Sequence, residues 1–122
     1  MVDGSKDFKF VIADDDIDRV RMNRDMIRKI YPEMKIYEFI NGFEACCFLE
    51  AKSLGTFDPE EWVVISDYHM PLKKGDKVME LCSKIGIEKK CLMTSDKNLA
   101  VDCVKFIKHL DESKLEEWVI QL

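Results

Sequence analysis

The chain contains 122 residues, of which 47% are hydrophobic and 35% charged, and its formal net charge at pH 7 is −5. This length and composition predict one globular domain over residues 1–122 with its own hydrophobic core. They exclude a transmembrane helix, which needs about 18 consecutive apolar residues, and the N-terminal residues lack the apolar stretch of a signal peptide. We therefore expect a cytoplasmic protein that does not contact a membrane. The acidic charge without a basic cluster argues against direct nucleic acid binding.

Strand and helix signals alternate along the chain. Short apolar runs predict strands at residues 8–13, 35–39, 62–66, 91–93 and 106–107. Amphipathic spacing predicts helices at residues 17–30, 43–54, 77–85, 98–103 and 113–122, and the fourth of these allows barely two turns. The capping-box spacing of Ser113 and Glu116 predicts that the last helix starts at Ser113. This alternation predicts an α/β fold with a doubly wound, five-stranded and largely parallel sheet.

The cysteines do not suggest a disulfide framework or a zinc site. They are odd in number, they lack CxxC spacing, and they stand at Cys46, Cys47, Cys82, Cys91 and Cys103. We therefore predict that they are reduced residues of the core.

Acidic residues follow two of the predicted strands. Asp14 and Asp15 close the first apolar run, and Asp67 closes the run that starts at Trp62. Because the carboxyl ends of parallel strands meet at one edge of a sheet, these carboxylates are expected to converge on a single point. Clustered carboxylates repel one another and keep their charge only beside a cation. Their hard oxygen ligands suit Mg²⁺, and a lysine is the other candidate.

Further motifs follow the predicted strands. Asp67 opens the run DYHMPLKKG, Thr94 and Ser95 follow the fourth strand, and Lys108 follows the fifth. In this order, spread over almost the whole chain, the motifs resemble the receiver domain of two-component response regulators, of the chemotaxis-regulator type. The resemblance implies a flavodoxin-like (βα)5 receiver fold, here with a truncated fourth helix.

The resemblance also implies a Mg²⁺ site. Asp15 and Asp67 would bind the ion directly, and Asp14 would hold the water of the ion or the lysine. His69 would contribute its backbone carbonyl, for which its side chain is not needed.

The function implied by the resemblance is phosphoacceptance in a phosphorelay. Asp67 would take a phosphoryl group from a phosphohistidine on a sensor histidine kinase or phosphotransfer protein. Lys108 would place its ammonium on the phosphoryl oxygens, and Thr94 would offer its hydroxyl once the group is attached. Such a domain is not an enzyme but assists its own phosphorylation and dephosphorylation. It passes the signal to a downstream protein effector that the sequence does not identify.

The sequence departs from the family near its C-terminus. His109 replaces the proline that usually follows the lysine, and Lys105 takes the place of an aromatic that usually moves with the threonine. A register shifted by one residue would restore Phe106 to that place, but His109 would then replace the lysine. The interval between Thr94 and Lys108 is also short.

Other interpretations remain open from the residues alone. An aspartate pair after a strand is ordinarily a helix cap, and Thr94 with Ser95 could start a helix in the same way. A degenerate receiver would keep the fold as a protein interaction module that works without phosphorylation. A Mg²⁺-dependent phosphatase with an aspartate nucleophile is disfavoured, because its DxDx[TV] motif is absent at Asp67.

Overall fold

The computed structural model of the chain describes residues 7–94, 105–107 and 112–122. The strands are β1 (Lys9–Ala13), β2 (Lys35–Phe39), β3 (Trp62–Asp67), β4 (Lys90–Met93) and β5 (Lys105–Ile107). The α-helices are α1 (Ile17–Ile30), α2 (Gly42–Ser53), α3 (Gly75–Lys84) and α4 (Glu112–Ile120), and a 3-10 turn spans Pro59–Glu61. The predicted short helix at 98–103 lies outside the described residues.

The strands form one parallel sheet in the order β2-β1-β3-β4-β5. In the register of the central pair, Ala13 lies opposite Ser66, so the residues that follow the two strands emerge side by side. All six residues of β3 are buried, because this strand lies in the middle of the sheet and is covered on both faces. The predicted parallel α/β sheet is thus confirmed.

Hydrophobic clusters cover both faces of the sheet. Along β1, Phe10 and Ile12 belong to the cluster beneath α1 and α4, whereas Val11 and Ala13 belong to the cluster beneath α2 and α3. This alternation follows from the two-residue period of a strand. The site residues that follow β1 and β3 therefore stand on a rigid, fully packed base.

Three helix starts differ from the sequence prediction. The second helix begins at Gly42 rather than Phe43, and the third begins at Gly75 rather than Lys77. Gly75 lies so close to the end of β3 that a side chain would not fit, which helical periodicity does not reveal. The last helix begins at Glu112, one residue before the start that was predicted at Ser113.

The prediction that the cysteines lie in the core holds for Cys46, Cys82 and Cys91, but Cys47 is exposed on α2. Burial raises the pKa of the Cys82 and Cys91 thiols to about 12, so both stay protonated at neutral pH. Cys103 lies outside the described residues.

Candidate functional site at the carboxyl edge of the sheet

The predicted carboxylates meet at the carboxyl edge of the central strands. Asp14 and Asp67 are each 2% exposed, and Asp15 is exposed beside them. One carboxylate oxygen from each of the three residues lies within 4.8 Å of the others. The structure therefore brings together all three acidic residues that the sequence assigned to this site.

The three acidic residues 14–16, which follow β1, have two different roles. Asp16 caps α1, because its side chain accepts hydrogen bonds from the backbone N–H groups of Asp18 and Arg19. Asp14 Oδ1 accepts the N–H of Asp16 at 2.9 Å. The cap of α1 is thus Asp16 and not the Asp14–Asp15 pair, for which the sequence had left the helix-cap interpretation open. Asp14 points its carboxylate into the cluster, and Asp15 stays accessible from solvent.

Arg19 joins the site from the first turn of α1. Its Nε donates to Asp14 Oδ2 at 2.8 Å, and its Nη2 donates to Asp14 Oδ1 at 3.0 Å. The same Nη2 lies 3.5 Å from Asp67 Oδ2, and Nη1 lies 3.5 Å from Asp16 Oδ2. Hydrogen bonding to Asp14 raises the pKa of Arg19 above its usual value, against the opposing effect of burial. The Arg19 guanidinium thus contacts the carboxylates of Asp14, Asp16 and Asp67.

Arg19 was not among the residues predicted for the site from the sequence. The available signal was its place in the first turn after the acidic run, since helical side chains lean back toward the N-terminus of their helix. A basic residue there is poorly placed for the helix dipole, which favours acids at this end. Its position is explained by the carboxylates that precede it.

The loop after Asp67 is held between two helices. A Cβ on Gly75 would lie 2.2 Å from the carbonyl oxygen of Asp67, and a Cβ on Gly42 would lie 2.1 Å from the carbonyl oxygen of Lys73. The N–H of Gly75 also donates to the carbonyl of Tyr68 at 2.8 Å. Only residues without a side chain allow α2 and α3 to approach the loop so closely. The backbone around Asp67 is therefore fixed by packing.

Some of the remaining predicted site residues lie within the described ranges and others lie outside them. Thr94 is buried directly after β4, and its N–H donates to the carbonyl of Ile107 at 2.9 Å. Because Asp67 pairs with Met93, Thr94 follows the partner of Asp67 at the same edge. His69 is exposed in the loop two residues after Asp67. Lys108 lies outside the described residues, as do Ser95 and His109, so the position of Lys108 stays a prediction.

The acidic cluster fits a hard divalent cation. Mg²⁺ is held in proteins by one or two carboxylates together with water and other oxygen ligands. The cluster offers an exposed carboxylate, Asp15, through which an ion can enter, and two buried ones that are already oriented. The chemistry of the donors therefore agrees with the predicted Mg²⁺ site.

Solved structures share this architecture. The receiver domain of the hybrid histidine kinase CckA matches with a TM-score of 0.70 and 21% identity over 93% of this chain and 96% of its own. A response regulator receiver protein from Sinorhizobium medicae WSM419 matches with a TM-score of 0.75 and 12% identity, covering 94% and 92%. The chemotaxis response regulator CheY4 of Vibrio cholerae matches with a TM-score of 0.66 and 17% identity, covering 93% and 99%. These matches confirm that the chain has the receiver fold.

Neither a protein-family model nor a curated protein matches the sequence. Across the described ranges, every helix is too short or too polar to cross a membrane.

Proposed function

We propose that the chain is the phosphoacceptor receiver domain of a two-component phosphorelay, with Asp67 as the acceptor. The observation that carries this proposal is the burial of Asp67 at the end of the central strand, within 4.8 Å of the ligand oxygens of Asp14 and Asp15. Such a cluster of carboxylates needs a positive charge beside it, and in this structure Arg19 supplies one. The arrangement is useful where a metal cation and a phosphoryl group are to be received.

The reaction is a phosphoryl transfer to a carboxylate. An oxygen of Asp67 attacks phosphorus, the bond between phosphorus and the imidazole nitrogen of the donor breaks, and the imidazole leaves with its electron pair and takes up a proton. Asp15, Asp67 and the backbone carbonyl of His69 would hold Mg²⁺, which would supply positive charge to the phosphoryl oxygens. Asp14 would hold a water of the ion, and close packing fixes the backbone that carries Asp67.

Thr94 and Lys108 complete the proposed machinery. Thr94 lies at the same edge as Asp67 and can offer its hydroxyl to a phosphoryl oxygen. Lys108 would supply an ammonium to another phosphoryl oxygen, which is the role that the motif order gives it. The domain thereby assists its own phosphorylation and dephosphorylation without being an enzyme that acts on a separate substrate.

The proposed partners are a sensor histidine kinase or phosphotransfer protein and a downstream protein effector. We propose that both meet the domain in the cytoplasm. An alternative is a degenerate receiver that binds its partner without phosphate. One observation favours that alternative: Lys105, in the place that the resemblance gives to a buried aromatic, is exposed on β5. Burial of an unpaired ammonium costs several kcal/mol, so Lys105 cannot fill a cavity as an aromatic does.

Intact mass measured after incubation with Mg²⁺ and acetyl phosphate tests the proposal. We expect the wild type to gain the mass of one phosphoryl group and Asp67→Asn to gain nothing. Asp25→Asn is the matched control, since Asp25 is an exposed aspartate on α1 whose loss should leave labelling intact. Equal labelling of wild type and Asp67→Asn would overturn the assignment of Asp67. No labelling of the wild type under any donor would favour the degenerate receiver.

A further inference from the structure

We propose that Arg19 is the resident cation of the acidic site, which Mg²⁺ displaces when it binds, so that Arg19 lowers the affinity of the site for the metal. This inference rests on the proposed function, because it concerns the same carboxylates. The observations that carry it are the contacts of the Arg19 side chain. The Arg19 guanidinium donates two hydrogen bonds to Asp14. It also lies 3.5 Å from Oδ2 of Asp67, and the Asp67 side chain is only 1% exposed.

The guanidinium and a metal ion would compete for the same oxygens. Mg²⁺ binds oxygen at about 2.0–2.1 Å and holds its ligands in a near-octahedral shell. The carboxylate oxygens that could bind it lie within 4.8 Å of one another, and Nη2 of Arg19 already lies 3.0 Å from Asp14 Oδ1. A divalent ion among these oxygens would therefore stand next to a positive charge. Repulsion between the two cations opposes joint occupancy.

Arg19 has a second partner to which it can turn. Nη1 lies 3.5 Å from Asp16 Oδ2, and the Asp16 side chain is 44% exposed. Asp16 is also held in place as the cap of α1. An outward movement of the guanidinium would keep an ion pair with Asp16 while it released Asp14 and Asp67. The cost of displacement is thus partly offset, which makes the exchange reversible.

The exchange has a consequence for signalling. At low Mg²⁺ the carboxylate of Asp67 is neutralised by a group of the protein itself, and that group competes with the metal that phosphoryl transfer requires. Phosphorylation of Asp67 would then need a higher Mg²⁺ concentration than it would without Arg19. Arg19 therefore sets the Mg²⁺ concentration above which Asp67 can be phosphorylated.

Calorimetric titration of the full chain with Mg²⁺ tests this. We expect Arg19→Met to bind Mg²⁺ about tenfold more tightly than the wild type, since the competing charge is lost while the ligands remain. Arg21→Met is the control, because it removes the same charge from an exposed position on the same helix. Its affinity should match the wild type within about twofold. An Arg19→Met affinity equal to or weaker than the wild type, with Arg21→Met unchanged, would overturn the inference.

A measurement on the wild type covers the case in which Arg19→Met fails to fold. The Nε–H resonance of Arg19 should be shifted and protected by Asp14 without metal, and it should move to a solvent-exposed position as Mg²⁺ is added. A resonance that stays in place at saturating Mg²⁺ would overturn the inference.

The two proposals fail in different ways. If the wild type and Arg19→Met both fail to bind Mg²⁺ and Asp67 takes no phosphate, the proposed function fails and the inference with it. If the wild type binds Mg²⁺ and is phosphorylated on Asp67 but Arg19→Met binds no more tightly, only the inference on Arg19 is wrong.

Discussion

Strand β1 carries an ion pair near each of its two ends, and the pairs differ in burial rather than in distance. At the amino end, Lys9 Nζ lies 2.6 Å from Glu61 Oε2, with side chains 25% and 42% exposed. At the carboxyl end, Arg19 Nε lies 2.8 Å from Asp14 Oδ2, with side chains 26% and 3% exposed. The hydrogen bond to its partner raises the pKa of each cation, so Lys9 and Arg19 both keep their positive charge at neutral pH.

The comparison shows why a short distance is a poor guide to importance. A partly exposed pair such as Lys9 and Glu61 gains little, because water screens the charges and two flexible side chains must be ordered. A buried carboxylate has lost its hydration and depends on whatever replaces it. The amino end of β1 can therefore vary with little effect, while at the carboxyl end each charge and each backbone contact constrains the site.

The largest effect on stability is expected where the carboxyl end is most tightly packed. Gly75→Ala would place a Cβ 2.2 Å from the carbonyl oxygen of Asp67, and backbone must move to admit it. We expect a loss of about 2–3 kcal/mol in the free energy of unfolding, measured with urea. Gly55→Ala is the control, because the nearest atom to its Cβ lies 3.9 Å away. A loss shared equally by both variants would show that the packing at Asp67 is not special.

A smaller effect is expected from the metal. Mg²⁺ at about ten times its Kd should stabilise the domain by about 1.4 kcal/mol, which corresponds to a rise of about 5 °C in Tm. The rise should shrink in Asp15→Ala, which lacks a proposed ligand. It should persist in Glu61→Gln, which alters only the amino end of the strand. A rise unaffected by Asp15→Ala would place the metal elsewhere, and a rise lost in Glu61→Gln would contradict the contrast between the two ends.

The smallest effect is expected at the amino end itself. Lys9→Met removes the 2.6 Å ion pair with Glu61, yet we expect the free energy of unfolding to change by less than about 0.5 kcal/mol. Chemical denaturation at low and high salt measures this, since any contribution of a partly exposed pair should fade as salt is added. A loss above about 1 kcal/mol that salt does not reduce would mean that distance, rather than burial, governs these pairs.

The fold was predictable because its signals are local. Apolar runs end at Ala13 and Ser66, and their parallel pairing alone brings Asp14 and Asp67 together. The start of α3 was not predictable in this way, because the close approach of Gly75 to the end of β3 is a tertiary feature that helical periodicity does not show. Arg19 was missed for a related reason. Its role depends on the direction of a side chain toward acids that precede it, whereas sequence spacing shows only that it is near them.

The close fit of Gly42 and Gly75 restrains the loop after Asp67 at both of its ends. At one end Lys73 packs against Gly42 of α2, and at the other end Asp67 packs against Gly75 of α3. Because packed protein interiors are stiff, a loop held in this way changes its shape little and transmits a displacement to α2 and α3. A chemical change on Asp67 would then reach the surface as a small displacement of helices rather than as a rearranged loop.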